Sequence, residues 1–191
     1  MAKEYTTMAD LKKLQNEVIP WKYRLIYTTL FYSALRPGEL LQRKPNNFQK
    51  EFNEDKDKHY YFFDLKTQKN KEKNELTPVR QQDYTAMLDY IRLMNIGPND
   101  YIFGSAKLKF KKPMSVSWLD RKLKEHCELV GIEKPITGHS FRIGLVTYLH
   151  EEKNIPYSEI ATITRHQNIR VMQKHYDKRI KYTAFTIIDS L

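Results

Sequence analysis

Between Phe48 and Val79 the apolar residues of this chain stop recurring at helical spacing, and that interruption limits the folds open to it. "YYFFDLKT" and "NELTPV" are rich in aromatic residues and read as two strands joined by the polar turn "QKNKEK". "NNFQKEF" supplies a third strand, reached through "NEDKDKH". On both sides of this region the period is helical. "TTMADLKKLQNEV" offers Thr6 or Thr7 as a cap, with Met8, Leu11 and Leu14 on one face. "WKYRLIYTTLFYSAL" follows Pro20, turns Trp21, Leu25 and Leu30 inward, and is apolar enough for a central helix. Pro37 and Gly38 break it, and Pro37 suits the first turn of a short second helix.

After the strands, Tyr84, Met87, Leu88, Ile91 and Met94 return to helical spacing. Val116, Leu119, Leu123, Cys127 and Val130 do the same, behind Ser115 as a cap. Further helices start near Thr137, Ser158, Asn168 and Lys181. The expected fold class is therefore α+β, mainly α-helical, with a small antiparallel three-stranded sheet inserted after the second or third helix.

Charge narrows the partners. The 191 residues carry 33 Lys+Arg against 23 Asp+Glu, a net +10. Basic side chains displace condensed counterions from phosphates, so this excess favours a polyanion, although a merely soluble basic protein has the same composition. The lysines cluster at Lys66, Lys69, Lys71 and Lys73 and again at Lys107, Lys109, Lys111 and Lys112. From Arg165 to Lys181 there are six Lys or Arg against one Asp. A single cysteine, Cys127, leaves no internal disulfide and no cysteine-based zinc site. There is no apolar run of membrane-spanning length, and "MAKEYTTMADLKK" lacks the apolar core of a signal peptide. The chain reads as cytoplasmic, with no membrane partner.

The chemistry-bearing residues gather late in the chain. His139 and Arg142 are three apart, on one face if "GHSFRIGLVTYLH" is helical. A guanidinium holds two phosphate oxygens at once and stays charged. Tyr176 is a nucleophile only with help: a phenol of pKa about 10 carries a handicap of about 4 kcal/mol at pH 7. An imidazole is neutral for much of the time near pH 7 and is a base of the right strength, and His139 is the candidate that carries one. His166 stands at a helix junction, where a histidine is also an ordinary cap or core residue. Arg36, in "SALRPGELL", lies between two helices and either meets an anion there or neutralises its own helix dipole. Lys66 ends a strand, where a lysine reaches a DNA groove or is simply solvated.

Taken in order, "ALRPGEL", "LKTQKNKEKNELTPV", "GHSFR" and "RHQNIRVMQKHYDK" resemble the tyrosine site-specific recombinases, the phage integrase family. The resemblance covers essentially the whole chain, 1–191, as a catalytic domain. It implies that Arg36 and Arg142 clamp the scissile phosphate and that Lys66 is the general acid toward the departing 5′ oxygen. His139 would accept the tyrosine proton, His166 would hydrogen-bond a non-bridging oxygen, and Tyr176 would attack to leave a 3′-phosphotyrosine. Preorganised cations meet the transition-state charge, so neither a metal nor a nucleotide cofactor is expected. Lys69, Lys71, Lys73 and Arg165 are expected on DNA.

The implied partners are double-stranded DNA and further copies of the chain, a tetramer on DNA or a monomer alone. The family's N-terminal core-binding domain has no counterpart here, so the chain reads as an excised catalytic domain from a phage, virus or other mobile element. Two departures stand out. Thr164-Arg165-His166 replaces the family's Leu-Gly-His, and His166 to Tyr176 is ten positions, one more than usual. Tyr182 and Tyr157 are weaker alternative nucleophiles. Other readings are a type IB topoisomerase and a catalytically silent DNA-binding relative; no acidic cluster suits a metal-dependent nuclease.

Overall fold

A computed structural model describes residues 4–65 and 76–165. The chain divides into two compact units between Leu145 and Val146.

The first unit opens with α1 (Met8–Lys13), whose start is fixed by Thr7. The Thr7 hydroxyl accepts from the Asp10 N–H, while the Asp10 carboxylate accepts from the Thr7 N–H at 2.8 Å, a reciprocal capping box. The central helix α2 (Trp21–Ser33) buries Leu25, Ile26, Tyr27, Leu30 and Phe31, so its apolar residues face the core on more than one side. It stops at Ala34, which takes the left-handed conformation with φ 51°. The short α3 (Pro37–Leu41) then starts on a proline, whose missing N–H costs nothing at a first helical position.

The sheet follows α3. Strands β1 (Phe48–Asn53), β2 (Lys58–Asp64) and β3 (Leu76–Val79) form one antiparallel sheet in the order β1-β2-β3. Phe48 pairs with Phe63 and Phe63 with Thr77, which puts these residues on one face. On that face Phe63 is fully buried, and the rings of Phe48 and Tyr61 pack against Tyr84 of α4 (Gln81–Leu93). The "QKNKEK" turn between β2 and β3 lies outside the described residues.

On α4 the buried stripe differs from the expected one. Asp83, Met87 and Tyr90 face inward, while Leu88 and Met94 are each 37% exposed. The helix is rotated because Tyr90 packs between Trp21 and Phe103, and Arg80 neutralises Asp83 from the preceding turn with a bond of 2.7 Å. Helix α5 (Val116–Leu129) begins behind Ser115, whose hydroxyl accepts from the Trp118 N–H. It buries Leu119, Leu123 and Cys127 together with His126, a residue that periodicity does not mark as core. Helix α6 (Gly138–Thr147) completes the unit.

In the second unit α6 passes into a π-helical segment, Tyr148–Glu152, followed by α7 (Tyr157–Thr164). Its core is Val146, Tyr157, Ile160 and Ala161, with Leu149 and Ile155 packed alongside. Arg165 closes α7 in the left-handed conformation, φ 56°. Beyond it lie the helices expected near Asn168 and Lys181, outside the described residues.

Candidate active site

The segment Ala34–Pro37 is where the candidate residues meet. Arg36 is the extended residue ahead of α3. Glu39, one turn on, accepts both from its backbone N–H and from its guanidinium, each at 2.8 Å. This pair holds the side chain beside the helix start while leaving it 52% exposed. Arg142 reaches the same segment from α6: its guanidinium donates to the Ala34 carbonyl, and only 4% of the residue is exposed. A helix C-terminus leaves carbonyls without intrahelical donors, and a guanidinium there satisfies one and complements the dipole.

His139 enters by a third contact. A Cβ built on Gly138 would lie 2.6 Å from Cγ of Pro37, so the residue before His139 packs on the residue after Arg36. Any side chain at 138 would force these helix starts apart. The start of α6 is also pinned by the Asp120 carboxylate, which accepts from the Gly138 N–H at 2.8 Å, and by the Ser140 hydroxyl, which accepts from the Thr137 N–H. His139 itself is exposed on the first turn of α6. Arg142 is thus buried against the segment that carries Arg36, and the residue before His139 packs on Pro37, while the Arg36 and His139 side chains are themselves exposed.

Behind this corner the packing is tight. Phe141, between His139 and Arg142, stacks on Tyr27 with ring centroids 5.5 Å apart and planes within 9°. The Tyr27 hydroxyl meets Nδ1 of His126 at 2.7 Å. Burial pushes the Tyr27 phenol well above its ordinary value, so it stays protonated, and the tautomer of His126 sets which of the two donates. Burial also lowers the His126 pKa, with the Lys122 charge adding to the effect. On the far side of α6 a Cβ at Gly144 would meet the Thr6 carbonyl oxygen at 1.9 Å, so the segment ahead of α1 lies directly against that helix. The Thr6 N–H donates to the Ser140 carbonyl, 3.1 Å away.

Sequence reasoning missed two residues that position this corner. Arg43 is buried, and its guanidinium donates to the carbonyls of Glu39 and Asp64, joining α3 to the end of β2. That strand end leads through buried Leu65 to Lys66. Spacing alone offered a signal, since Arg43 is seven positions from Arg36, two helical turns away. Asp120 carried no signal, because its partner is eighteen residues away.

Lys66, Lys69, Lys71, Lys73, His166 and Tyr176 lie outside the described residues. Arg165 is the terminal residue of α7 and occupies the left-handed position that a glycine adopts freely. Of the alternative nucleophiles, Tyr182 is likewise outside the described residues. Tyr157 is 8% exposed, with its ring stacked on His150 at 4.0 Å. Among the described residues no three His, Cys, Asp or Glu side chains converge to hold a metal ion, and no helix is long and apolar enough to cross a membrane.

Mainly helical, with a three-stranded antiparallel sheet, the fold matches the catalytic domains of the tyrosine recombinases. The chain belongs to the Phage integrase family, whose model matches residues 3–181. Solved structures share its fold at low identity. The XerA recombinase superposes with a TM-score of 0.72 at 17% identity, over 99% of this chain and 64% of its own. The XerH recombinase in a post-cleavage complex with its difH substrate gives 0.69 at 16% identity, over 94% and 51%. The Tn1549 transposon integrase bound to transposon right end DNA gives 0.63 at 18%, over 100% and 67%. The chain thus spans about half to two thirds of the length of these proteins. No curated protein matches it.

Proposed function

We propose that this chain is the catalytic domain of a site-specific DNA recombinase that cleaves and rejoins strands through a 3′-phosphotyrosine. The observation that supports the reading is that the Arg142 guanidinium bonds the Ala34 carbonyl, two residues before Arg36, while Gly138, next to His139, packs on Pro37. The two guanidiniums bind the non-bridging oxygens of one phosphate, and their charge is worth most as negative charge builds in the five-coordinate transition state. His139 takes the proton from the Tyr176 hydroxyl as its oxygen attacks phosphorus. The bond from phosphorus to the 5′ oxygen breaks, and Lys66 gives that oxygen a proton. His166 donates to a non-bridging oxygen. The reverse attack by a 5′-hydroxyl from another strand restores the phosphodiester without an external energy source.

Double-stranded DNA is the substrate, and strand exchange between two duplexes calls for a tetramer of the chain. The work takes place in the cytoplasm of the host cell.

The test is a duplex substrate nicked beside the cleavage point, incubated in EDTA. A covalent protein–DNA adduct is expected for the unmodified chain and none for Tyr176→Phe. Arg142→Ala is expected to lower adduct formation by at least about a hundredfold, the usual scale for losing a transition-state donor, while changing DNA affinity much less. An adduct that survives Tyr176→Phe, or an equal loss of cleavage and binding in Arg142→Ala, contradicts these roles.

A further inference from the structure

A second basic surface lies beside the start of α5. Between α5 and the loop Gly104–Pro113 is a hollow of about 630 Å3, a size suited to a small organic group. Among the residues that line it, Leu108, Pro113, Met114 and Trp118 are apolar and Lys22, Lys107 and Lys112 are basic. Trp118 is 43% exposed yet held in one orientation. Its Nε1–H donates to the Tyr23 hydroxyl at 3.3 Å, and the Arg121 guanidinium lies over its ring, 4.0 Å from the centroid. A partly exposed indole with the Arg121 guanidinium and, at 5.6 Å, the Lys122 ammonium over its ring suits a π-face bearing negative charge nearby.

The wall of the hollow is built for close approach. A Cβ on Gly104 would lie 2.9 Å from the Lys112 carbonyl oxygen and from Cα of Phe110, so glycine alone lets this loop fold back on itself. The Lys22 ammonium donates to the Gly104 carbonyl at 2.7 Å and fastens the loop to α2. Burial lowers the Lys22 pKa to about 8, so the loop holds a cation that binding an anion would stabilise in its charged form. The stretch from Tyr101 to Leu119 contains four lysines and no acidic residue.

We propose that this hollow binds an unstacked nucleobase, with Trp118 as its stacking platform and Lys107 and Lys112 holding the flanking phosphates. The shape decides against an intact duplex. A duplex presents phosphates on a convex ridge with its bases stacked inside, and leaves an apolar hollow unfilled. A splayed-out nucleotide offers a flat ring for the indole and a charged backbone for the lysines. The inference goes beyond strand transfer and does not depend on Tyr176.

The experiment has two readouts on the full chain: tryptophan quenching by short oligothymidylate, by a blunt duplex of equal length and by heparin, and anisotropy of the dye-labelled nucleic acids, from which the affinity of each variant is taken. Saturable quenching by the single strand is expected. Trp118→Leu is expected to weaken single-strand binding by about tenfold, within the range for losing one stacked base, and to change duplex binding by less than about twofold on the same scale. Trp118→Phe is expected to keep most of the single-strand affinity. Lys107→Ala with Lys112→Ala is expected to weaken it and flatten its salt dependence, which keeps the question answerable if Trp118→Leu fails to fold. Equal quenching by heparin, or equal losses on single strand and duplex, overturns the proposal. So does a Trp118→Leu protein that folds and binds as before. Adduct formation on the nicked substrate is measured alongside, so failure here and failure of the recombinase chemistry give different results.

Discussion

Acidification bears on the buried His126. It is buried in α5 against Tyr23 and Tyr27 of α2, with Lys122 and Glu125 as its charged neighbours on its own helix. Its folded-state pKa lies below the ordinary value, so between that value and about 6.5 the unfolded chain binds a proton that the folded chain refuses. Stability from this residue is therefore complete above about pH 6.5 and falls as the pH drops below it. Urea denaturation at pH 7 and pH 5 is expected to show a lower midpoint at pH 5 for the unmodified chain. His126→Gln is expected to reduce that difference, whatever its effect on absolute stability. A variant with the same pH difference would show that the loss comes from other groups. Since Tyr27 also carries Phe141, the same protonation bears on the footing of His139 and Arg142.

At the scale of elements, the end of α7 carries a cost that one substitution removes. Arg165 sits at φ 56°, a conformation in which a side chain costs about 1–2 kcal/mol and glycine nothing comparable. Arg165→Gly is expected to raise stability by about 1 kcal/mol in denaturant unfolding. If Arg165 contacts a phosphate, the same variant binds DNA more weakly. A gain in stability with unchanged binding would make the residue a strained cap and nothing more. The sequence carried the glycine-for-arginine exchange openly but not the left-handed backbone, which depends on how α7 ends. The same division runs through the fold. Strands, caps and breaks were legible, because aromatic runs, Thr7, Ser115 and Pro37 act on their immediate neighbours. The rotation of α4, the burial of His126 and the anchoring by Arg43 and Asp120 were not, because each depends on a partner from another element. At the site, order along the chain pointed to Arg36, His139 and Arg142 together, while the close contact of Gly138 with Pro37 needed coordinates.

For the whole molecule the informative quantity is where the charge sits. Ion pairs among the described residues, such as Arg36–Glu39 and Lys134–Asp10, each remove one charge of either sign and leave the net +10 unchanged. The segment Arg165–Lys181 has six basic residues and one Asp, a net +5, and Tyr101–Leu119 has four lysines and no acid, a net +4. These two segments thus hold +9 of the +10, and one of them contains Tyr176. A charge spread for solubility would have no reason to concentrate in this way, whereas one that displaces counterions from a backbone would. Duplex affinity is therefore expected to fall steeply with salt, and each phosphate-contacting cation removed is expected to reduce the log–log slope by about one. Arg170→Ala and Lys174→Ala, measured by fluorescence anisotropy across a salt series, are expected to do so. Lys56→Ala, set among Glu54, Asp55 and Asp57 in the β1–β2 turn, is expected to leave the slope unchanged. A slope that responds equally to all three would mean that the protein feels DNA only through its total charge, and would separate the basic segment around Tyr176 from any role in placing the scissile phosphate.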